Sequence, residues 1–139
     1  GFGKTMMQVV SLKQRYAGHA KQALLAMAGF RSGSSLYRYY IVVDDDIDPS
    51  DLQEVVWAIS TRSDPGSSVD IIHDAWTSVL DPRLSPEQRA SGQLTMGRLL
   101  IDACKPFAWR DQFPKTNAFG PDMRRQVSEK WRTLLDDIV

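Results

Sequence analysis

The chain has 139 residues, 42% of them apolar and 24% charged, a composition typical of one globular domain with a hydrophobic core. Its 17 basic and 17 acidic side chains cancel, which argues against general nucleic-acid binding and against a polybasic membrane surface. The single cysteine, Cys104, excludes an internal disulfide and indicates a cytoplasmic protein. No apolar run approaches the ~20 residues that cross a bilayer, so we expect no integral membrane segment.

The first half of the chain alternates compact apolar runs with helical patterns. We predict strands over residues 6–12 and 37–43, because both runs are apolar and contain β-branched residues. Apolar residues at helical spacing predict a helix over residues 18–30. A second helix follows the second strand, with Ser50 and Gln53 as a capping box. Its apolar stripe is predicted to contain Leu52, Val55, Val56 and Ile59.

The second half predicts two further short strands, over residues 69–72 and 99–103, separated by a long polar segment over residues 74–93. A final helix is predicted to begin at Pro121, since proline favours the first helical position. Its apolar side contains Met123, Val127, Trp131, Leu134, Leu135 and Ile138. The order of elements predicts an α/β fold, a layered domain with a mostly parallel sheet of about four strands flanked by helices.

Four carboxylates crowd the end of the second strand. They are Asp44, Asp45, Asp46 and Asp48. Like charges this close repel one another, so we expect a cation, a helix N-terminus or basic side chains beside them. An EF-hand calcium loop is excluded, because Pro49 and Val55 stand where that loop needs glycine and glutamate.

Two interpretations of the acidic run remain open. In the first, Asp44 and Asp46 form an Asp-x-Asp site that binds a metal ion and a nucleotide, as in a small transferase. In the second, the acids are structural, and they cap the next helix and pair with arginines. The candidate partners are Arg15, Arg38 and Arg62.

Three ordered blocks carry more information than any single motif. They are residues 13–21 (KQRYAGHAK), 41–49 (IVVDDDIDP) and 54–65 (EVVWAISTRSDP), and residues 97–103 (GRLLIDA) follow at a fitting distance. Together they resemble the C-terminal domain of the UbiD family, the prenylated-flavin-dependent aromatic acid decarboxylases. The resemblance covers nearly the whole chain. It implies that residues 1–139 are a single C-terminal domain and that the N-terminal flavin-binding domain is absent from this sequence.

The resemblance also implies a function within a longer parent enzyme. We expect the substrate-pocket and oligomerisation domain of a UbiD-like carboxy-lyase, one that reversibly decarboxylates aromatic carboxylic acids of the hydroxybenzoate type. Prenylated FMN, Mn2+ and K+ are expected in the absent domain, so this fragment should hold no cofactor, no metal and no catalytic residue, and should be inactive alone. The parent is expected to be a homo-oligomer, a dimer or a hexamer, without nucleic-acid partners. The alternative is a domain that only associates subunits.

One segment resembles the substrate-facing wall of that family. It consists of Ile72, His73, Asp74, Ala75 and Trp76. At physiological pH, His73 could hydrogen-bond a ring hydroxyl or hold a phenolate, and Trp76 could stack on an aromatic ring. The structural alternatives are a solvated histidine at a strand end and a tryptophan that anchors the following loop.

Overall fold

The computed structural model describes residues 6–30, 36–114, 125–127 and 129–131. The elements in chain order are β1 (Met7–Leu12), α1 (His19–Gly29), β2 (Tyr39–Asp44), α2 (Leu52–Arg62), β3 (Val69–Trp76), α3 (Pro86–Ser91), β4 (Thr95–Ala103) and a 3-10 helix (Phe107–Gln112). Residues 125–127 and 129–131 are helical. The predicted start of the final helix at Pro121 lies outside the described residues, as do Met123, Leu134, Leu135 and Ile138.

The strands within the described residues form one mixed sheet with the order β1-β2-β4-β3. β2 pairs in parallel with both β1 and β4, whereas β3 pairs antiparallel with β4. The predicted α/β fold with a mostly parallel sheet is therefore confirmed. The carboxyl ends of β1, β2 and β4 lie at the same end of the sheet. The carboxyl end of the antiparallel strand β3 lies at the other end.

The two longer helices cover opposite faces of the sheet. On one face, α1 packs on alternate residues of the central strands, in a cluster of Ala20, Leu24, Ala28, Tyr40, Val42, Leu100 and Cys104. On the other face, α2 packs on the intervening residues, in a cluster of Ile41, Val43, Ile47, Val55, Ala58 and Ala103. Because successive side chains of a strand point to opposite faces, β2 is buried on both sides, which explains its unbroken apolar run.

The predicted capping box of α2 is wrong by one residue. Asp51 is the N-cap, and its Oδ1 accepts hydrogen bonds from the backbone N–H groups of Gln53 at 2.8 Å and Glu54 at 3.3 Å. The Ser50 hydroxyl instead donates to Oδ1 of Asp48 at 2.6 Å. Asp51 occupies the N-cap position, so its carboxylate accepts the helix N–H groups that the prediction assigned to the Ser50 hydroxyl.

The apolar stripe predicted for α2 is also partly wrong. Val55 is buried as expected, but Leu52 and Val56 are more than half exposed. The buried face runs instead through Val55, Ala58 and Arg62. Arg62 lies on the buried face, where its guanidinium pairs with Asp44 and Asp46 at the end of β2. This orientation of the helix buries the arginine.

The long polar segment predicted over residues 74–93 contains regular structure. β3 continues to Trp76, α3 covers Pro86–Ser91, and β4 already begins at Thr95. α3 has a capping box in which Ser85 and Gln88 exchange hydrogen bonds between side chain and backbone. In the ranges that the structure describes, no helix has the length and hydropathy needed to cross a membrane.

Candidate functional site

Asp44 lies buried at the carboxyl end of β2 and has all its carboxylate oxygens engaged. Its Oδ1 accepts a hydrogen bond from Nε2 of Gln14 at 2.9 Å. Its Oδ2 accepts from Nη1 of Arg62 at 3.0 Å and from the backbone N–H of Lys105 at 2.7 Å. The side chain therefore joins the ends of β1, β2 and β4 to α2.

Asp46 shares Arg62 with Asp44 and also binds the ammonium group of Lys105. Arg62 donates from Nη1 at 2.7 Å and from Nη2 at 3.0 Å, and Nζ of Lys105 donates at 2.6 Å. Partial burial alone would raise the pKa of this carboxyl, but the hydrogen bonds and charges of Arg62 and Lys105 outweigh it and lower the pKa to about 2. Asp46 is therefore ionised throughout the physiological range.

These contacts support the structural interpretation of the acidic run. Of the three candidate arginines, Arg62 is the one that pairs with Asp44 and Asp46, whereas Arg38 pairs with Asp81. Within the described residues, no group of three or more His, Cys, Asp or Glu side chains could hold a metal ion. A metal–nucleotide site on Asp44 and Asp46 would have to displace two cations, so the geometry disfavours it.

Cys104 and Asp102 form a second polar pair at the carboxyl end of β4. The backbone N–H of Cys104 donates to Oδ1 of Asp102 at 3.0 Å. Burial raises the pKa of both the Cys104 thiol and the Asp102 carboxyl, with smaller contributions from neighbouring acids. A thiol held neutral is a poor nucleophile, so Cys104 acts as a small buried residue.

The segment predicted as the substrate-facing wall forms a β-bulge at the opposite end of the sheet. Ile72 pairs with Arg98 and Ala75 pairs with Met96, so His73 and Asp74 together face one residue of β4, Gly97. Asp74 has a φ of 53°, in the left-handed region that side chains other than glycine seldom adopt. Bulges and left-handed residues of this kind commonly redirect side chains beside functional sites.

The bulge divides the five predicted residues between two cavities. His73 and Asp74 line a cavity of about 770 Å³, here called cavity 1. Ile72, Ala75 and Trp76 line a second cavity of about 680 Å³, here called cavity 2. The prediction treated these residues as one continuous wall, whereas a strand with one extra residue presents them to different surroundings.

Cavity 1 combines an apolar floor with polar walls. The floor contains Tyr39, Ile71 and Leu99, which are cross-strand neighbours on one face of the sheet. The polar walls contain Arg38, His73, Asp74, Asp81, Arg83 and Gln88. Ligand sites with an apolar body and a few convergent polar groups suit a small aromatic molecule with polar substituents.

Cavity 2 is more apolar and lies between the end of α1 and β3. Leu25, Ala28 and Gly29 form its helix side. Arg98 closes one end, because its guanidinium donates to the backbone carbonyl of Ala28 and, at 2.9 Å, to that of Trp76. These contacts hold the end of β3 against the end of α1.

Asp81 was not recognised from the sequence, although it is one of the most deeply buried polar residues. It is 1% exposed, and its carboxylate accepts hydrogen bonds from the Thr77 hydroxyl at 3.0 Å and the Arg83 backbone at 2.9 Å. Arg38 forms an ion pair with it. The dipeptide Asp81-Pro82 was the sequence feature that could have drawn attention to this carboxylate. Its burial could not be predicted, because its ion-pair partner, Arg38, lies far away in the chain.

Comparison with known proteins points to one family. Residues 1–103 match the family described as 3-octaprenyl-4-hydroxybenzoate carboxy-lyase C-terminal domain. A phenolic acid decarboxylase from Sedimentibacter hydroxybenzoicus is 33% identical over 128 residues, which cover 91% of this chain and 25% of that protein.

Solved structures agree with this match. The vanillic acid decarboxylase of Sedimentibacter hydroxybenzoicus, in its open form, has a TM-score of 0.67 and 30% identity over 94% of this chain and 27% of its own. The UbiD-class enzyme HmfF from Pelotomaculum thermopropionicum, in complex with FMN, has a TM-score of 0.66 and 30% identity over 82% of this chain and 24% of its own. An evolved dimeric form of HmfF in complex with prFMN has a TM-score of 0.53, with 27% identity over 82% of this chain and 20% of its own. The chain thus spans about a quarter of the length of these relatives.

Proposed function

This chain belongs to the family of UbiD carboxy-lyase C-terminal domains, and from this premise we propose that it is the C-terminal domain of a longer enzyme that decarboxylates aromatic acids. The family match and the relatives named as phenolic acid and vanillic acid decarboxylases support this proposal. The remainder of such an enzyme corresponds to the three quarters of the relatives that this chain does not cover.

Within that enzyme, we assign cavity 1 as the part of this domain that faces the substrate. The observation that carries the assignment is the bulge, which brings His73 and Asp74 together into a cavity whose floor contains Tyr39 and Ile71. An aromatic ring would pack on that floor, and the His73 imidazole would hydrogen-bond a ring hydroxyl. The substrate class that fits this combination is a hydroxybenzoate.

The cofactor is proposed to lie outside this chain. Prenylated FMN, with Mn2+ and K+, would be held by the domain that the relatives carry in addition, and when bound it would accept the electrons released as carbon dioxide leaves. The side chains of cavity 1 have a different task. They would bind and orient the ring and exclude water from it. A homo-oligomeric parent in the cytoplasm is part of the same proposal, and so is the inactivity of residues 1–139 alone.

Replacement of His73 in the full-length enzyme tests the assignment. His73→Ala should lower kcat/KM on phenolic acids about fivefold, because one hydrogen bond to the substrate is lost, and should leave non-phenolic aromatic acids unaffected. His19→Ala is the matched control, since His19 stacks on Tyr16 at the start of α1 and lines neither cavity. Equal losses on both substrate classes would remove the substrate-facing role.

Subunit association is the alternative that a specific observation favours. Leu52 and Val56 lie one turn apart on α2, and both are more than half exposed. Light scattering on the 139-residue chain measures its oligomeric state directly. A strict monomer would weaken the association role and leave the decarboxylase proposal intact.

A further inference from the structure

The loop over residues 77–84, here called the anchored loop, has an unusual distribution of buried and exposed side chains. Thr77, Asp81 and Leu84 are buried, whereas Val79 is 52% exposed and Leu80 is 74% exposed. The loop therefore holds its apolar tip in solvent and its carboxylate inside the protein. This is the reverse of what burial energetics favour for a free-standing loop.

The buried carboxylate of Asp81 ties the anchored loop to β2. Its ion pair with Arg38 reaches the residue that immediately precedes the strand. The hydroxyl of Thr77 and the backbone N–H of Arg83 also donate to it, and Nη2 of Arg89 donates to its backbone carbonyl at 2.8 Å. A carboxylate buried this deeply is stable only while its partners stay in place, so the contacts hold the loop in one position.

The same ion pair forms part of cavity 1. Arg38, Asp81 and Leu84 line that cavity together with Gln88 of α3, and His73 lines it from β3. One wall of the cavity is thus the anchored loop, and another is the bulge. The distance between these walls depends on where the ion pair holds the loop.

We propose that Asp81 and Arg38 are positioning residues, which hold the anchored loop at the distance from the His73 bulge that an aromatic acid requires. This inference rests on the proposed function of cavity 1 and adds a role for two residues outside the segment assigned to the substrate. Neither residue needs to touch a reacting atom. Their effect on the substrate is transmitted through the position of the wall.

Hydrogen exchange on the 139-residue chain tests the anchoring directly. Asp81→Asn should speed amide exchange of residues 78–84 at least tenfold, while the amides of β2 and β4 keep their protection. Arg38→Met should have the same effect. Lys21→Met is the matched control, because it removes the half-exposed ion pair with Asp70 and should leave the loop unchanged. Changes below twofold in both Asp81→Asn and Arg38→Met would overturn the proposal.

Steady-state kinetics of the full-length enzyme test the positioning. Asp81→Asn and Arg38→Met should raise KM for the aromatic acid at least fivefold with kcat within twofold, because the wall contacts the ring equally in ground and transition states. Arg38→Lys keeps the positive charge, so its KM should lie closer to the wild-type value than that of Arg38→Met. Simple destabilisation would lower the amount of active enzyme, and therefore kcat, without changing KM.

The two experiments separate failure of this inference from failure of the proposed function. Faster exchange in the loop with an unchanged KM would overturn the positioning role while the decarboxylase function stands. A full-length enzyme without activity on any aromatic acid would refute the proposed function. The exchange result would then decide by itself whether Asp81 and Arg38 hold the wall of cavity 1.

Discussion

The two ends of the sheet use charged side chains in opposite ways. At the carboxyl ends of β1, β2 and β4, Asp44 and Asp46 are fully engaged by Arg62, Lys105 and Gln14. At the other end, charged and polar groups line an open cavity of about 770 Å³ beside a strained bulge. At the carboxyl ends the described charges pair with one another. At the other end Arg38 and Asp81 also form an ion pair, but His73, Asp74 and Arg83 line a space that a ligand can enter.

This difference departs from the usual rule for open α/β sheets. Ligands usually bind at the carboxyl ends of the strands, where neighbouring strands send their helices to opposite faces. Here β1 and β2 meet that condition, since α1 and α2 cover different faces. The protein's own ion pairs bridge this crevice, and the candidate site lies at the other end of the sheet.

The largest effect is expected from breaking the carboxyl-end network. Arg62→Met would leave Asp44 buried without its cation and should lower the free energy of unfolding by about 3–5 kcal/mol. Urea unfolding of the 139-residue chain measures this. Lys21→Met removes a half-exposed ion pair and should cost less than about 1 kcal/mol. Similar losses in the two variants would mean that the buried pairing of Arg62 with Asp44 contributes no more than a half-exposed ion pair.

At the opposite end, the bulge should be sensitive to backbone conformation. Asp74→Val places a β-branched residue at a φ of 53° and should lower the free energy of unfolding by about 1–2 kcal/mol. Asp74→Gly relieves the steric conflict and should change stability by less than about 1 kcal/mol. Equal stability of the Val and Gly variants, compared by thermal unfolding, would contradict a left-handed residue in the bulge.

The depressed pKa of Asp46 predicts a pH-dependent contribution of about 1 kcal/mol or less, since the carboxylate is partly screened by solvent. Because the folded pKa of about 2 lies below the unfolded value, the contribution is fully present above about pH 4 and is lost as the pH falls through the folded pKa. Asp46→Asn should therefore cost more stability at pH 5 than at pH 2. A cost independent of pH would argue against the ion pairs.

Asp102 is an acid at the carboxyl end that forms no ion pair with a basic side chain of the described residues, and Lys21 lowers its pKa only slightly compared with the effect of burial. Burial raises its pKa, so ionisation disfavours the folded state once the pH rises above the unfolded value. Asp102→Asn keeps an acceptor for the Cys104 N–H and should raise the free energy of unfolding slightly at pH 7, as measured by urea unfolding. The gain should shrink at pH 4. Destabilisation at pH 7 would show that the charge is useful.

Local patterns predicted the order of elements well, because apolar periodicity reflects which face of each element is buried. They failed where a distant partner decides the outcome. α2 buries Arg62 and exposes Leu52 and Val56, and the pairing of Arg62 with Asp44 is not visible in local spacing.

The candidate site was harder to predict for the same reason. The sequence predicted one continuous wall from Ile72 to Trp76, but one extra residue in β3 divides these residues between two cavities, and bulges leave no periodic signal. Asp81 was missed because its ion-pair partner, Arg38, lies 43 positions away. Asp81 lies in a polar stretch of sequence, so its burial becomes visible only in the folded structure.

The central strand pairing has a consequence for how the protein reaches its fold. β2 lies between β1 and β4, and Tyr40 pairs with Leu100, about sixty residues further along the chain. Closing so long a loop costs conformational entropy before the strand contacts can form and offset it. Folding should therefore be slow for a domain of this size. Until β4 pairs with β2, the backbone N–H and C=O groups along one side of β2 can pair with other chains. This exposed side favours aggregation during synthesis.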